Sequence, residues 1–204
     1  MFYEVGREKD QGFAHDPFKA LVAPRPIGWI TALSAKGEIN LSPYSFFNAV
    51  SSRPNMVAFS SDGRKDAVTF IEETGEFVCN LATYELREAM NATSAPLARG
   101  ENEMVHAGLT AAPSRLVKPP RVAEVPAALE CKWLQTVPLT PIGADEPVYF
   151  MIIGQVIGVF VDERFVSDGL VDTAAMRPIM RAGYHDYFVA TPETRFSMRR
   201  PPGG

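Results

Sequence analysis

Hydrophobic and polar positions along the chain alternate mostly at the period of a strand. Ile27–Leu33 is rich in β-branched and aromatic residues, Lys36-Gly37 follows, and Ile39–Leu41 is apolar again, which predicts a hairpin. Met56–Ser61 is a further short apolar run closed by Asp62-Gly63. Asp66 can cap a helix that buries Ala67, Phe70 and Ile71 and stops at Gly75. Glu76–Leu81 returns to strand character, and Thr83 can cap a second helix reaching about Asn91, with Leu86, Ala89 and Met90 on one face. Pro96, Pro113, Pro119, Pro120 and Pro126 then interrupt the chain, because proline neither donates to a ladder nor continues a helix. Ser94–Pro126 is therefore expected on the surface, with one helical turn near Glu103–Ala107. Ala127–Val137 and Val148–Val161 complete the set, and the second is apolar on both alternating faces, so it must be covered twice.

Strands outnumber helices, which predicts a mainly β fold with peripheral helices, a small barrel formed by one domain spanning residues 1–204. Residues 1–15 read as an N-terminal arm, and residues 196–204, with Arg199 and Arg200, as a polar tail. Apolar residues on the outside of a small barrel need a cover, so a homodimer is expected. With 46% apolar and 22% charged residues in 204, the chain can bury a full core. A net charge of −4 without a basic run argues against nucleic acid as a partner. The first residues lack the basic and apolar regions of a signal peptide, and the apolar runs are too short for a membrane-spanning helix, which points to the cytoplasm. Cys79 and Cys131, without a close sequence partner or a metal-type spacing, read as buried inert thiols. His15, His106 and His185 are scattered, and Glu103 beside His106 supplies too few ligands for a metal site.

The runs Pro24-Arg25-Pro26-Ile27-Gly28-Trp29-Ile30-Thr31 and Asn40-Leu41-Ser42-Pro43-Tyr44-Ser45-Phe46-Phe47-Asn48 carry a specific pattern. Together with Lys65-Asp66, Thr74-Gly75-Glu76-Phe77, Asn91-Ala92-Thr93-Ser94 and Arg181-Ala182-Gly183-Tyr184, it resembles the flavin reductase-like, FMN-binding split-barrel family, and within it the flavoredoxin branch. The resemblance covers nearly the whole chain and implies a Greek-key split β-barrel, bound FMN, and NADH or NADPH as electron donor. Where the family often has Lys-Asp-Thr, this chain has Lys65-Asp66-Ala67, and Thr69 is a candidate to replace the lost hydroxyl.

FMN offers a dianionic phosphate, a polar ribityl chain and a flat ring, so its site needs anion donors, hydroxyls and an apolar slot. The turn Ser42-Pro43-Tyr44-Ser45 can present hydroxyls and free N–H groups. The resemblance implies that Trp29 and Thr31 lie along the ring edge and that Ser60, Ser61, Arg64 and Lys65, with Asp66, surround the phosphate at a helix start. It also implies that Asn91, Thr93, Arg181 and Tyr184 come near the flavin. Each has a plainer alternative: Trp29 as core packing, Arg64 and Lys65 as solvated charges, Ser60 and Ser61 as turn residues, and Asn91 with Thr93 as a helix end. His185 follows Tyr184, and its role stays open.

No acid, base or nucleophile is demanded of the protein, because the cofactor carries the redox chemistry. No G-x-G-x-x-G accompanies an acidic partner, so the nicotinamide would bind over the flavin rather than in a domain of its own. The reading is an NAD(P)H-linked flavin reductase, with a redox protein or monooxygenase as a partner it could serve; the alternative, which shares every motif, is an FMN-carrying electron-transfer protein with little NAD(P)H activity. A pyridoxamine phosphate oxidase relative would need a second basic cluster, which is not seen.

Overall fold

The computed structural model describes residues 1–201; of the tail expected over 196–204, the last three residues lie outside the described residues. Seven antiparallel strands form the central sheet, in the order Ile39–Tyr44, Gly28–Leu33, Glu76–Leu81, Ala127–Leu139, Tyr149–Val161, Asn55–Asp62 and Phe47–Ser52. The first and last of these are edge strands, yet only Ser45 and Phe46 separate them in the chain. A flat sheet would hold those edges six spacings apart, roughly 29 Å, whereas three residues reach at most about 11 Å. The sheet must therefore roll up until its edges meet. At the seam the Tyr44 and Phe59 rings lie 4.7 Å apart, and the Ser60 N–H, donating to the Phe46 carbonyl at 2.9 Å, extends the pairing of the last two strands.

Inside the roll, Ile30, Phe59, Phe77, Cys131 and Ile152 form a core, and the helix Asp66–Thr74 inserts Ala67, Val68, Phe70 and Ile71 into it. The opposite faces of the same strands bury Trp29, Leu41 and Val78 under Met90 of helix Arg87–Ala92, Met104 of helix Glu103–His106, and Val117, Val122 and Val125 of the proline-rich stretch. Two-sided covering thus falls on strands Gly28–Leu33 and Glu76–Leu81; the Val148–Val161 expectation is corrected, since Val148, Ile157 and Val159 stay exposed in this chain.

Gly154 faces the first core so closely that an added Cβ would stand 2.3 Å from the Phe77 ring. Phe77 is fully buried and cannot swing aside. Gly154→Ala is therefore expected to lower stability by roughly 1–3 kcal/mol, the usual cost of overpacking, read as a lower denaturant midpoint at unchanged slope.

Several local expectations are corrected. Lys65, in extended conformation, occupies the helix cap position and Asp66 is the first helical residue, with no side chain bonded across the end. Thr83 does not cap a helix: it is drawn into an isolated bridge with Pro178, and the helix begins only at Arg87. Phe47–Ser52 is a strand that the hydrophobic pattern did not signal. So are Arg25–Pro26, Ile179–Arg181 and Tyr187–Val189, which pair into a small sheet of their own. Cys79 and Cys131 are buried free thiols, but they do have a partner, each other. Strand pairing sets Cys79 opposite Leu129 and Cys131 opposite Phe77, so the two thiols meet diagonally, and burial first, then the Cys131 thiol, pushes Cys79 well above the usual thiol pKa.

Candidate functional site

Three hollows join around the barrel seam. A cleft of about 720 Å³ is lined by Pro43, Ser45 and Asn91 together with Arg25, Arg181 and Tyr184. It shares Pro43 and Ser94 with a chamber of about 400 Å³ lined by Asn40, Ser42, Tyr44, Lys65, Asp66, Thr93 and Glu103. It shares Arg25 and Ser45 with an open groove of about 650 Å³ that includes Phe46, Phe47, Ser60 and Met151. Volumes of this size match ordinary small-molecule sites.

The barrel builds the chamber directly. Strand Ile39–Tyr44 carries Asn40, Ser42 and Tyr44, and the helix from Asp66 starts beside them with exposed Lys65. No side chain caps that helix, so its first-turn N–H groups are not satisfied by a capping side chain. Burial pushes the Tyr44 phenol up to about 12, against hydrogen bonds with Ser61 and Ser42, so it stays a neutral donor and acceptor at physiological pH. Glu103 accepts from Asn40 Nδ2 at 2.8 Å and from the Leu41 N–H at 3.0 Å, and burial raises its pKa above the ordinary carboxylate value. Asn40 Oδ1 and Arg25 Nε are buried polar atoms with no partner in the protein. Unpaired polar atoms beneath a hollow cost stability and are uncommon, and they mark walls suited to a polar ligand.

Eleven of the fifteen residues expected at a flavin site border these hollows: Ser42, Pro43, Tyr44, Ser45, Ser60, Lys65, Asp66, Asn91, Thr93, Arg181 and Tyr184. Four do not. Trp29 is 0% exposed inside the second core, where its Nε1 donates to Thr93 Oγ1 at 2.9 Å, so it cannot lie along a ring in the cleft. Thr31 is likewise 0% exposed, its hydroxyl accepting from Asn80 Nδ2 at 2.8 Å. Ser61 is buried with its hydroxyl donating to the Gly63 carbonyl at 2.9 Å, and the strand's two-residue period turns it away from Ser60. Arg64 is ion-paired with Glu72 and lies 4.6 Å over the Phe150 ring, away from all three hollows. The expected grouping of Ser60, Ser61, Arg64 and Lys65 is therefore not formed; Lys65 lines a chamber with Ser42 and Tyr44 instead. Thr69 does not replace the missing hydroxyl either, since its Oγ1 turns back to the Lys65 carbonyl at 3.4 Å.

Sequence reasoning named none of Arg25, Asn40, Glu103, His15 and Lys19 as flavin-site residues, weighing Glu103 and His15 only as metal ligands, yet all five line the hollows. For Arg25 a signal was present: an arginine between two prolines in an otherwise apolar run has to be placed deliberately.

Residues 21–178 match the family described as flavin reductase like domain. A protein of Halalkalibacterium halodurans that is itself uncharacterised is 37% identical over 171 residues, 81% of each chain. Among solved structures, nitrilotriacetate monooxygenase component B from Bacillus cereus superposes with a TM-score of 0.85 at 28% identity, covering 97% of this chain and 98% of its own. Flavoredoxin of Desulfovibrio vulgaris (Miyazaki F) superposes at 0.78 with 20% identity over 100% of both, a likeness of fold. The rolled sheet is accordingly a split barrel.

Proposed function

This chain belongs to the flavin reductase-like domain family, and from that premise we propose that it binds FMN across the joined hollows and works as an oxidoreductase linked to NADH or NADPH. The observation that carries the proposal is the chamber, where Lys65 and an uncapped helix start stand beside the hydroxyls of Ser42 and Tyr44. Lys65 and the first-turn N–H groups would hold the phosphate, a pairing of positive potential with a dianion. Arg99, 3.8 Å from Asp66, offsets the nearest negative charge. Ser42, Ser45 and Asn40 would meet the ribityl hydroxyls, and the groove by Phe46 and Met151 would take the ring. Bound FMN would supply the electron chemistry, receiving electrons from the nicotinamide and releasing them to an acceptor. The protein's own part is to position the two molecules and exclude water.

Leu21, Val22 and Val50 stand exposed along the groove, which favours a homodimer covering it. Nitrilotriacetate monooxygenase component B is by its name one component of a monooxygenase, which supports a monooxygenase partner as acceptor here too. The carrier alternative shares the site and differs in the donor. Protein loaded with FMN should bleach when NADH or NADPH is added under argon; flavin that stays oxidised while a reduced protein partner can bleach it would favour the carrier.

A further inference from the structure

Arg25 and Arg181 stand directly opposite each other across the pair of strands Arg25–Pro26 and Ile179–Arg181. Like charges in that position repel, and arginine cannot relieve the repulsion by releasing its proton. Such a pair is ordinarily offset by a carboxylate. Among the described residues neither guanidinium has an ion-pair partner.

Neutral groups fix both side chains instead. Arg25 donates from Nη1 to the carbonyls of Lys19, at 2.6 Å, and Val22, and from Nη2 to that of Ala182 at 3.1 Å, which leaves its buried Nε without an acceptor. Arg181 donates to the Tyr187 hydroxyl at 2.6 Å and to the Tyr184 carbonyl, and lies 4.6 Å over the Tyr187 ring. Carbonyls and phenols orient a guanidinium without cancelling its charge. Arg25 is only 7% exposed, and burial first, then the Arg181 charge, pull its pKa below the ordinary value. His15, Lys19 and His185 border the same cleft, and Asp16 is the one carboxylate in its lining. Tyr184, whose carbonyl holds Arg181, has a φ of +55°, a backbone strain of the kind found at ligand sites.

We propose that Arg181, backed by Arg25, forms a subsite for an oxyanion, a carboxylate or a phosphate, on the second substrate that meets the flavin. The identity of that substrate as the flavin's partner rests on the proposed function; the anion site stands on the arginine pair. Lys65 borders the neighbouring chamber, which leaves the arginines free when the flavin phosphate is held there.

The test is calorimetric titration of FMN-loaded protein, and in parallel of flavin-free protein, with inorganic pyrophosphate and with benzoate. At least one anion should bind the loaded protein, about tenfold or more weakly in Arg181→Gln, as loss of a charged hydrogen-bonding contact requires, with Arg181→Lys retaining most of the affinity. Pyrophosphate as the better probe assigns the subsite to a dinucleotide, and benzoate to a carboxylate-bearing acceptor. The inference is overturned if neither anion binds, if Arg181→Gln binds as well as the parent, or if FMN displaces the anion. Failure of FMN to bind at all would remove the flavin reading while the flavin-free titration still decides the anion site.

Discussion

Lys65→Glu is expected to raise the dissociation constant of FMN by roughly 10- to 100-fold, about 1.4–2.8 kcal/mol, while leaving that of riboflavin nearly unchanged. The reversal replaces an attraction to the phosphate with a repulsion, and at effective dielectrics between bulk water and a protein surface each such contact amounts to about 1–4 kcal/mol. Lys65 is exposed and packs into no core, so the variant should unfold at the same denaturant concentration as the parent. Riboflavin lacks the phosphate, which makes it the internal control. Equal weakening of both flavins would mean that the substitution disturbs the whole site, and unchanged FMN binding would remove Lys65 from the phosphate.

Trp29→Ala should act in the opposite manner, on stability rather than on the ligand. Trp29 fills the second core beside Leu41 and Met90, and its removal leaves a cavity there, so a loss of about 3–5 kcal/mol is expected. That is a large part of the 5–15 kcal/mol typical of a domain, and unfolding by urea would show it as a strongly lowered midpoint. Thr93 loses its indole donor but still donates to the Met90 carbonyl at 2.7 Å. Below the unfolding transition, the variant should bind FMN within a few-fold of the parent. A stable variant with severely weakened FMN binding would restore Trp29 to the ring edge.

These two residues also show what the sequence could convey. The hairpin from Gly28 and the helix from Asp66 were legible because Lys36-Gly37 and Gly75 mark their ends by turn and cap chemistry. Phe47–Ser52 was not, because it is an edge strand that pairs with Asn55–Asp62 alone and most of its side chains are exposed, so no apolar alternation marks it. Lys65, Ser42 and Ser45 were singled out in the sequence and do line the hollows. Trp29 and Thr31 were misplaced because their strand is buried on both faces, and a pattern apolar everywhere gives no sign of which face meets the cleft.

Arg25, Asn40 and Glu103 depend on contacts that no local pattern contains. Arg25 reaches Ala182 across 157 positions, and Glu103 holds Asn40 and Leu41 across 63 and 62. Their proximity is a product of the rolled sheet and of the small outer sheet, both fixed by long-range pairing. The two cysteines are a parallel case, distant in sequence and adjacent on paired strands.

Equilibrium titration of flavin-free protein with FMN bears most directly on the central claim, that the chamber and cleft around Lys65, Ser42 and Ser45 hold a flavin mononucleotide. Saturation at one FMN per chain, tighter than riboflavin, with a shifted flavin absorbance, is the predicted result. No saturable uptake, or uptake that is indifferent to the phosphate, would contradict it.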